Sequence, residues 1–221
     1  DLLKSIIYEV SVRDFTEGKG TDIQEKGKYL GFVESGRKTK AGNPAGLDYL
    51  KYLGITHVQL NPILDFRGVD DLKVNESYNW GYDPISLFAI EGSYSSHPED
   101  AMSRIREFQT MVNELHKNDI RVVVDVVYNH IYEYQTSVLE KTTPRYFFRR
   151  RPNGEVSSAS GCGNDINSNR PMARKFIVDS AKWLVKAYNI DGFRFDLMGL
   201  LDIETLQELE RECRKIKPDL I

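Results

Sequence analysis

The sequence predicts an α/β protein: a (β/α)8 barrel of which the first four β/α units are present. Three observations predict it. Strand-like and helical segments alternate four times, as they do when parallel strands are joined by crossover helices. Polar and charged residues gather at the C-terminal end of each strand-like segment, where a barrel builds its site. The first strand leads into Arg13-Asp14-Phe15-Thr16-Glu17, not into the glycine-rich phosphate loop typical of an open doubly wound sheet.

Taken in order, Ser5–Val12 is strand one, rich in β-branched and aromatic residues. Residues 16–44 are polar and glycine-rich without a clear period, and predict a loop. Asn43-Pro44 opens a helix running to Leu53, with Leu47, Leu50 and Leu53 as its apolar stripe and Gly54 as its stop. Thr56–Leu60 is strand two. A long helix covers Pro98–Asn118, with Ile105, Phe108, Met111, Val112 and Leu115 at helical spacing.

Arg121–Val127 is strand three, a near-continuous valine run of the kind buried on both faces of a parallel sheet. Pro171–Tyr188 is the third helix, its apolar positions being Phe176, Ala181, Trp183, Leu184 and Ala187. Residues 192–196 form strand four. Ile203–Ile216 is the fourth helix, with Leu206, Leu209 and Cys213 facing inward, and Leu220-Ile221 begins a fifth strand. The whole chain, 1–221, is therefore expected to be the N-terminal half of one barrel domain, with long loops over about 13–44, 61–97 and 128–170.

Bulk properties narrow the partners. The 221 residues are 40% hydrophobic and 29% charged, ordinary for a globular protein. A net charge of −3 gives no general attraction to nucleic acid or anionic membrane. The basic, aromatic run Arg145–Arg151 is a single short patch, read as solvated or packed; no nucleic-acid partner is expected. No apolar run approaches a membrane span, so no membrane partner is expected. The chain starts at Asp1 with no signal-peptide pattern, which predicts a cytoplasmic piece of a longer chain, the alternative being a secreted or cell-surface one. Cys162 and Cys213 are expected as free thiols.

Three strings carry chemistry. In Gly192-Phe193-Arg194-Phe195-Asp196, strand alternation turns both phenylalanines one way and Arg194 with Asp196 the other. Such a pair is costly to bury unless its members meet each other or a ligand; by itself it is equally a structural ion pair. Asp125-Val126-Val127-Tyr128-Asn129-His130 closes strand three. Asp125 could tie down a loop, and Asn129 and His130 could open into the barrel mouth. Tyr78-Asn79-Trp80-Gly81-Tyr82-Asp83-Pro84 packs three aromatics with Asn and Asp into seven residues. That composition suits a sugar, whose apolar faces stack on rings and whose hydroxyls bond amides and carboxylates. It also suits a turn held by aromatic packing.

Together the strings resemble the α-amylase superfamily, glycoside hydrolase family 13. The Asp125–His130 and Gly192–Asp196 strings are similar to its first and second signature regions. Tyr78–Pro84, YNWGYDP, resembles the signature of the type I pullulanases. The resemblance implies hydrolysis of α-1,6-glucosidic bonds in pullulan and other branched α-glucans with retention of configuration. It implies Asp196 as nucleophile and Arg194 as its aligning cation. It further implies Tyr82 as the stacking platform, with Asp83, His130, Asn79, Trp80 and Asn164 as sugar contacts and Asp125 and Asn129 as support. No cofactor is implied. Some relatives hold calcium through the residue matching Asn129, but no Asp-rich loop nearby completes a hard-cation site, so no metal is expected.

Retaining hydrolysis needs a second carboxyl as general acid, and the family takes it from the end of strand five. Glu204, Glu208, Glu210 and Glu212 read as solvated helix charges, and nothing sets Glu76 or Glu133 against a leaving group. The acid is therefore expected beyond residue 221, the chain alone is expected to be inactive, and the rest of the barrel is its expected partner alongside branched α-glucan. The competing expectations are another hydrolase of the superfamily, such as an isoamylase or α-amylase, and a non-catalytic glucan-binding or interaction domain.

Overall fold

The computed structural model describes residues 2–221. Four parallel strands form one sheet: β1 (Ile7–Val10), β2 (His57–Leu60), β3 (Arg121–Val126) and β4 (Gly192–Phe195). Their order across the sheet is β1-β2-β3-β4. Each sequence neighbour is a neighbour in space, with no reversal of the kind that marks a doubly wound sheet. This winding is the one the sequence predicts.

The helices follow the strands. α1 (Val12–Glu17) and α2 (Tyr29–Phe32) lie in the segment after β1, before α3 (Leu47–Leu53). α4 (Ala101–Lys117) precedes β3, and α5 (Val138–Thr142) and α6 (Pro171–Tyr188) precede β4. α7 (Ile203–Arg214) follows β4, after a 3-10 turn at Met198–Leu200. Each long helix shows why it starts and what it buries. Asp100 caps α4, its carboxylate accepting from Met102 N at 3.0 Å. Phe108, Met111, Val112 and Leu115 of α4 are fully buried against the sheet, each stabilising by about 2 kcal/mol. Pro171 starts α6, and Asn189, in the left-handed region at φ 55°, ends it. Asp202 caps α7 through Thr205 N at 2.9 Å, and Thr205, Leu209 and Cys213 turn inward.

Two expectations need correcting. The predicted loops at 13–44 and 128–170 contain α1, α2 and α5. These helices are four to six residues long, too short to register a 3.6-residue period. Trp183, read as one of the apolar positions of α6, is 46% exposed; the buried stripe of α6 runs instead through Ile177, Ala181, Leu184 and Tyr188. Leu220-Ile221, predicted to begin a strand, lies along β4. Ile221 N donates to Asp191 O and Ile221 O accepts from Phe193 N, both at 3.0 Å, the bonding of a parallel ladder. A Cβ on Gly192 would sit 2.6 Å from Ile221, so only glycine allows this approach. Cys162 and Cys213 are free thiols, exposed and buried respectively.

Candidate active site

β3 and β4 carry the site because their register sets Asp125 opposite Arg194. Side chains opposite each other on neighbouring strands share a face, so the two meet. Arg194 Nη1 lies 2.9 and 3.0 Å from the Asp125 oxygens and 3.0 Å from Asp196 Oδ1. Phe193 and Phe195 face the other way, their rings 6.0 Å apart against the core. Asp196 N donates to Val126 O at 3.1 Å, carrying the ladder one residue past β4. Leu197 then takes a left-handed conformation at φ 43° and the strand stops.

The carboxylates sit in different surroundings. The Asp125 side chain is 0% exposed, and burial raises its pKa against the pull of Tyr82 and Arg194. The Tyr82 hydroxyl donates to Asp125 Oδ2 at 2.8 Å. Burial alone would lower the Arg194 pKa; its bonds to Asp125 and Asp196 outweigh that and raise it. Asp196 keeps 16% of its side chain exposed. It also accepts from Asn129 Nδ2, at 2.9 Å on its backbone oxygen and 3.3 Å on Oδ2. Asp125 is thus enclosed and anchors the cation, while Asp196 is oriented and open.

His130 lies buried beneath this cluster. Its Nδ1 is 2.5 Å from Asn129 Oδ1 and its Nε2 is 3.0 Å from Tyr82 O. Burial lowers its pKa, with the Tyr82 carbonyl and the Asp196, Asp83 and Asp165 carboxylates pulling the other way. The ring therefore joins the Asn129 and Tyr82 loops.

The Tyr78–Pro84 turn is built by Asn79. Its Nδ2 donates to Arg67 O at 2.8 Å and Asp83 Oδ2 at 2.9 Å, and its Oδ1 accepts from Gly81 N at 2.8 Å. Gly81 sits at φ 97° with space for no Cβ, which would lie 2.9 Å from Pro62. Tyr82 and Asp83 are partly exposed, and Trp80 stands out at 61% exposure. Asn164 is buried and grips the Ile131 backbone from both sides, at 3.1 Å to the N–H and 2.6 Å to the carbonyl. Of the residues proposed from sequence, Asp196, Arg194, Asp125, Asn129, Tyr82 and His130 form one connected network, and Asp83 and Trp80 lie in the same turn as Tyr82. Asn79 and Asn164 make their bonds within the protein, as braces of the two loops. Sequence reasoning missed the Tyr82–Asp125 bond and a contact of Asp14 with Tyr78 at 2.5 Å; the polar residues after strand one were the only signal for the latter.

Five of the six glutamates considered as acids have bonded partners. Glu76 faces Lys73 at 3.7 Å, Glu133 accepts from Thr136 at 2.8 Å, Glu204 pairs with Arg174 at 2.8 Å and Glu210 with Arg214 at 2.9 Å. Glu212 pairs with Lys215 at 2.7 Å. The middle of the basic run packs inward, with Arg145 and Arg151 exposed at its ends: Arg149 bonds Ile166 O and Leu200 O, and Arg150 pairs with Glu140 at 2.8 Å. Among the described residues, no group of three or more His, Cys, Asp or Glu is placed to hold a metal ion. A hollow of about 750 Å³ beside β1, lined by Tyr8, Phe15 and Tyr49, lies apart from Asp196.

Comparison with known proteins gives consistent matches. The family described as Alpha amylase, catalytic domain, matches residues 15–162. The chain is 47% identical over 217 residues to the pullulanase of Bacillus subtilis (strain 168), covering 98% of this chain and 30% of that protein. It is 34% identical over 206 residues to isoamylase 1, chloroplastic, of Oryza sativa subsp. japonica, covering 89% of this chain and 24% of that protein. The crystal structure of an Anoxybacillus sp. LM18-11 pullulanase complexed with maltotetraose superposes with a TM-score of 0.97 at 46% identity, over 98% of this chain and 32% of that one. The chain thus spans about a third or less of the length of these relatives.

Proposed function

The chain belongs to the α-amylase catalytic-domain family, and on that premise we propose that the protein carrying it hydrolyses α-1,6-glucosidic bonds in pullulan and branched α-glucans. The observation that carries this reading is the single Arg194 nitrogen shared between enclosed Asp125 and open Asp196. It leaves one oriented carboxylate facing the strand ends. The pullulanase names of the relatives, and the maltotetraose in one of them, supply the substrate class.

In this reading Asp196 attacks the anomeric carbon. The glucosyl–oxygen bond breaks as the aspartyl–glucosyl bond forms, and water later releases the sugar with its configuration retained. Arg194 and Asn129 hold the carboxylate, and Tyr82, fixed by its hydroxyl on Asp125, lies under the sugar at the cleavage point. The leaving oxygen needs a proton from a second carboxyl about 5–5.5 Å away. Asp125 cannot give it, being enclosed and bound to Arg194 and Tyr82. The acid is therefore assigned to a residue outside 1–221, which makes the rest of a barrel the partner of this chain and leaves the chain alone inactive.

The test is a substrate panel on the full protein beside its D196N variant. Wild type is expected to release maltotriose from pullulan and D196N to fall to background. Attack on unbranched amylose with none on pullulan would reassign the substrate. D196N retaining wild-type turnover would remove Asp196 as nucleophile.

A further inference from the structure

Glu91 is a carboxylate sealed in the core, 1% exposed, in the long segment between β2 and α4. Burying such a charge is costly unless it is hydrogen-bonded, and both of its oxygens are taken up by backbone N–H groups. Oε1 accepts from Ser93 N at 2.8 Å and Oε2 from Phe66 N at 3.2 Å. Its own backbone is fixed at both polar atoms. Glu91 N donates to Ile63 O at 2.8 Å, just past β2, and Glu91 O accepts from the Tyr29 hydroxyl of α2 at 3.0 Å. Burial pushes the Glu91 pKa up to about 7 against the pull of the Ser93 and Phe66 bonds.

Phe66 is where the aromatic turn is seated. It pairs with Pro84, at the end of that turn, as an antiparallel bridge. A Cβ on Gly81 would lie 3.1 Å from Phe66 Cδ1, so the glycine of the turn rests on the Phe66 ring. The next residue, Arg67, donates its N–H to Asp83 O at 2.9 Å and accepts from Asn79 Nδ2 on its carbonyl at 2.8 Å. Tyr82 thus stands between two residues, Gly81 and Asp83, that both bear on Phe66 and Arg67. A binding side chain is held only as firmly as the residues behind it are locked. We propose that Glu91 is a positioning residue that acts through Phe66 and Arg67 to hold the Tyr82 ring on Asp125, ready for the sugar. The proposal rests on the glucan-hydrolase reading above.

The test uses the full protein labelled with fluorotyrosine, the Tyr82 line being identified by its loss in Y82F, with maltotetraose as the probe. It is run at pH 8, above the Glu91 pKa of about 7. E91Q keeps the side-chain shape but offers one acceptor oxygen to two N–H donors. It is expected to shift the Tyr82 line and to raise the maltotetraose dissociation constant about fivefold, the scale of one lost hydrogen bond. E91D keeps both oxygens but draws them back by one methylene; it is expected to act in the same direction and carries the same readouts if E91Q does not fold. Y29F frees the Glu91 carbonyl and leaves the carboxylate in place, so it is expected to lower the unfolding midpoint with the Tyr82 line and the affinity unchanged. In a Y82A background E91Q should add no further loss of affinity, since coupled sites are non-additive. A Tyr82 line unmoved by the Glu91 variants, an equal shift in Y29F, or additive losses in the double variant would overturn the proposal. Wild-type protein that does not bind maltotetraose would overturn the function reading, while the E91Q shift would still report the brace itself.

Discussion

Arg194 makes all its carboxylate contacts through one nitrogen, Nη1. A guanidinium can do this because its protons lie in a fixed plane and its charge is delocalised. An ammonium in its place has a shorter, more strongly hydrated head. R194K is therefore expected to lower kcat by about 100-fold, as when one fixed electrostatic partner is lost from a reacting group. Steady-state kinetics on pullulan checks it, and a variant within a few-fold of wild type would show that alignment does not depend on the fork. Asp196 and Arg194 were legible in sequence because strand alternation alone sends them to one face. The Tyr82–Asp125 bond was not, because 43 positions separate the pair and only the β2 loop's path brings them together.

The elements that sequence predicts best are those with a long period or a continuous apolar run. α6 begins and ends where expected, at Pro171 and Tyr188, because its 18 residues repeat the pattern and proline marks the first turn. The Val122–Val124 run of β3 is equally plain. The loops were hard, since their order comes from isolated side-chain to backbone bonds that leave no periodic trace. Asn164 is the clearest example: the family resemblance implied a sugar contact, and its amide holds both polar groups of Ile131, next to His130. N164A would leave those groups buried without partners and is expected to cost about 2 kcal/mol of stability. Denaturant unfolding measures it; a loss of glucan affinity with unchanged stability would instead make Asn164 a ligand contact.

Over the whole molecule, charge collects at both ends of β3 and β4. At the end away from Asp196, buried Asp191 accepts from His116 Nε2 at 2.6 Å, Lys217 Nζ at 2.7 Å and Val122 N at 2.7 Å. Burial would raise its pKa, but these partners outweigh it and hold the carboxyl at about 2, against an ordinary 3.8. A depressed folded-state pKa stabilises at pH above the ordinary value and ceases to as pH falls through the folded one. D191N is therefore expected to lose about 2 kcal/mol at pH 7, with the gap to wild type closing between about pH 4 and pH 2. Urea unfolding at both ends of that range tests the sign; a gap independent of pH would mean the loss comes from packing alone.

Buried valines of β3 lie between the two charge clusters, and neither cluster lends a side chain to the other. Acid tolerance and the carboxylate pair held by Arg194 are thus separable features of this fold. A lineage entering an acidic habitat can revise His116, Asp191 and Lys217 while leaving the Asp125–Arg194–Asp196 cluster as it is.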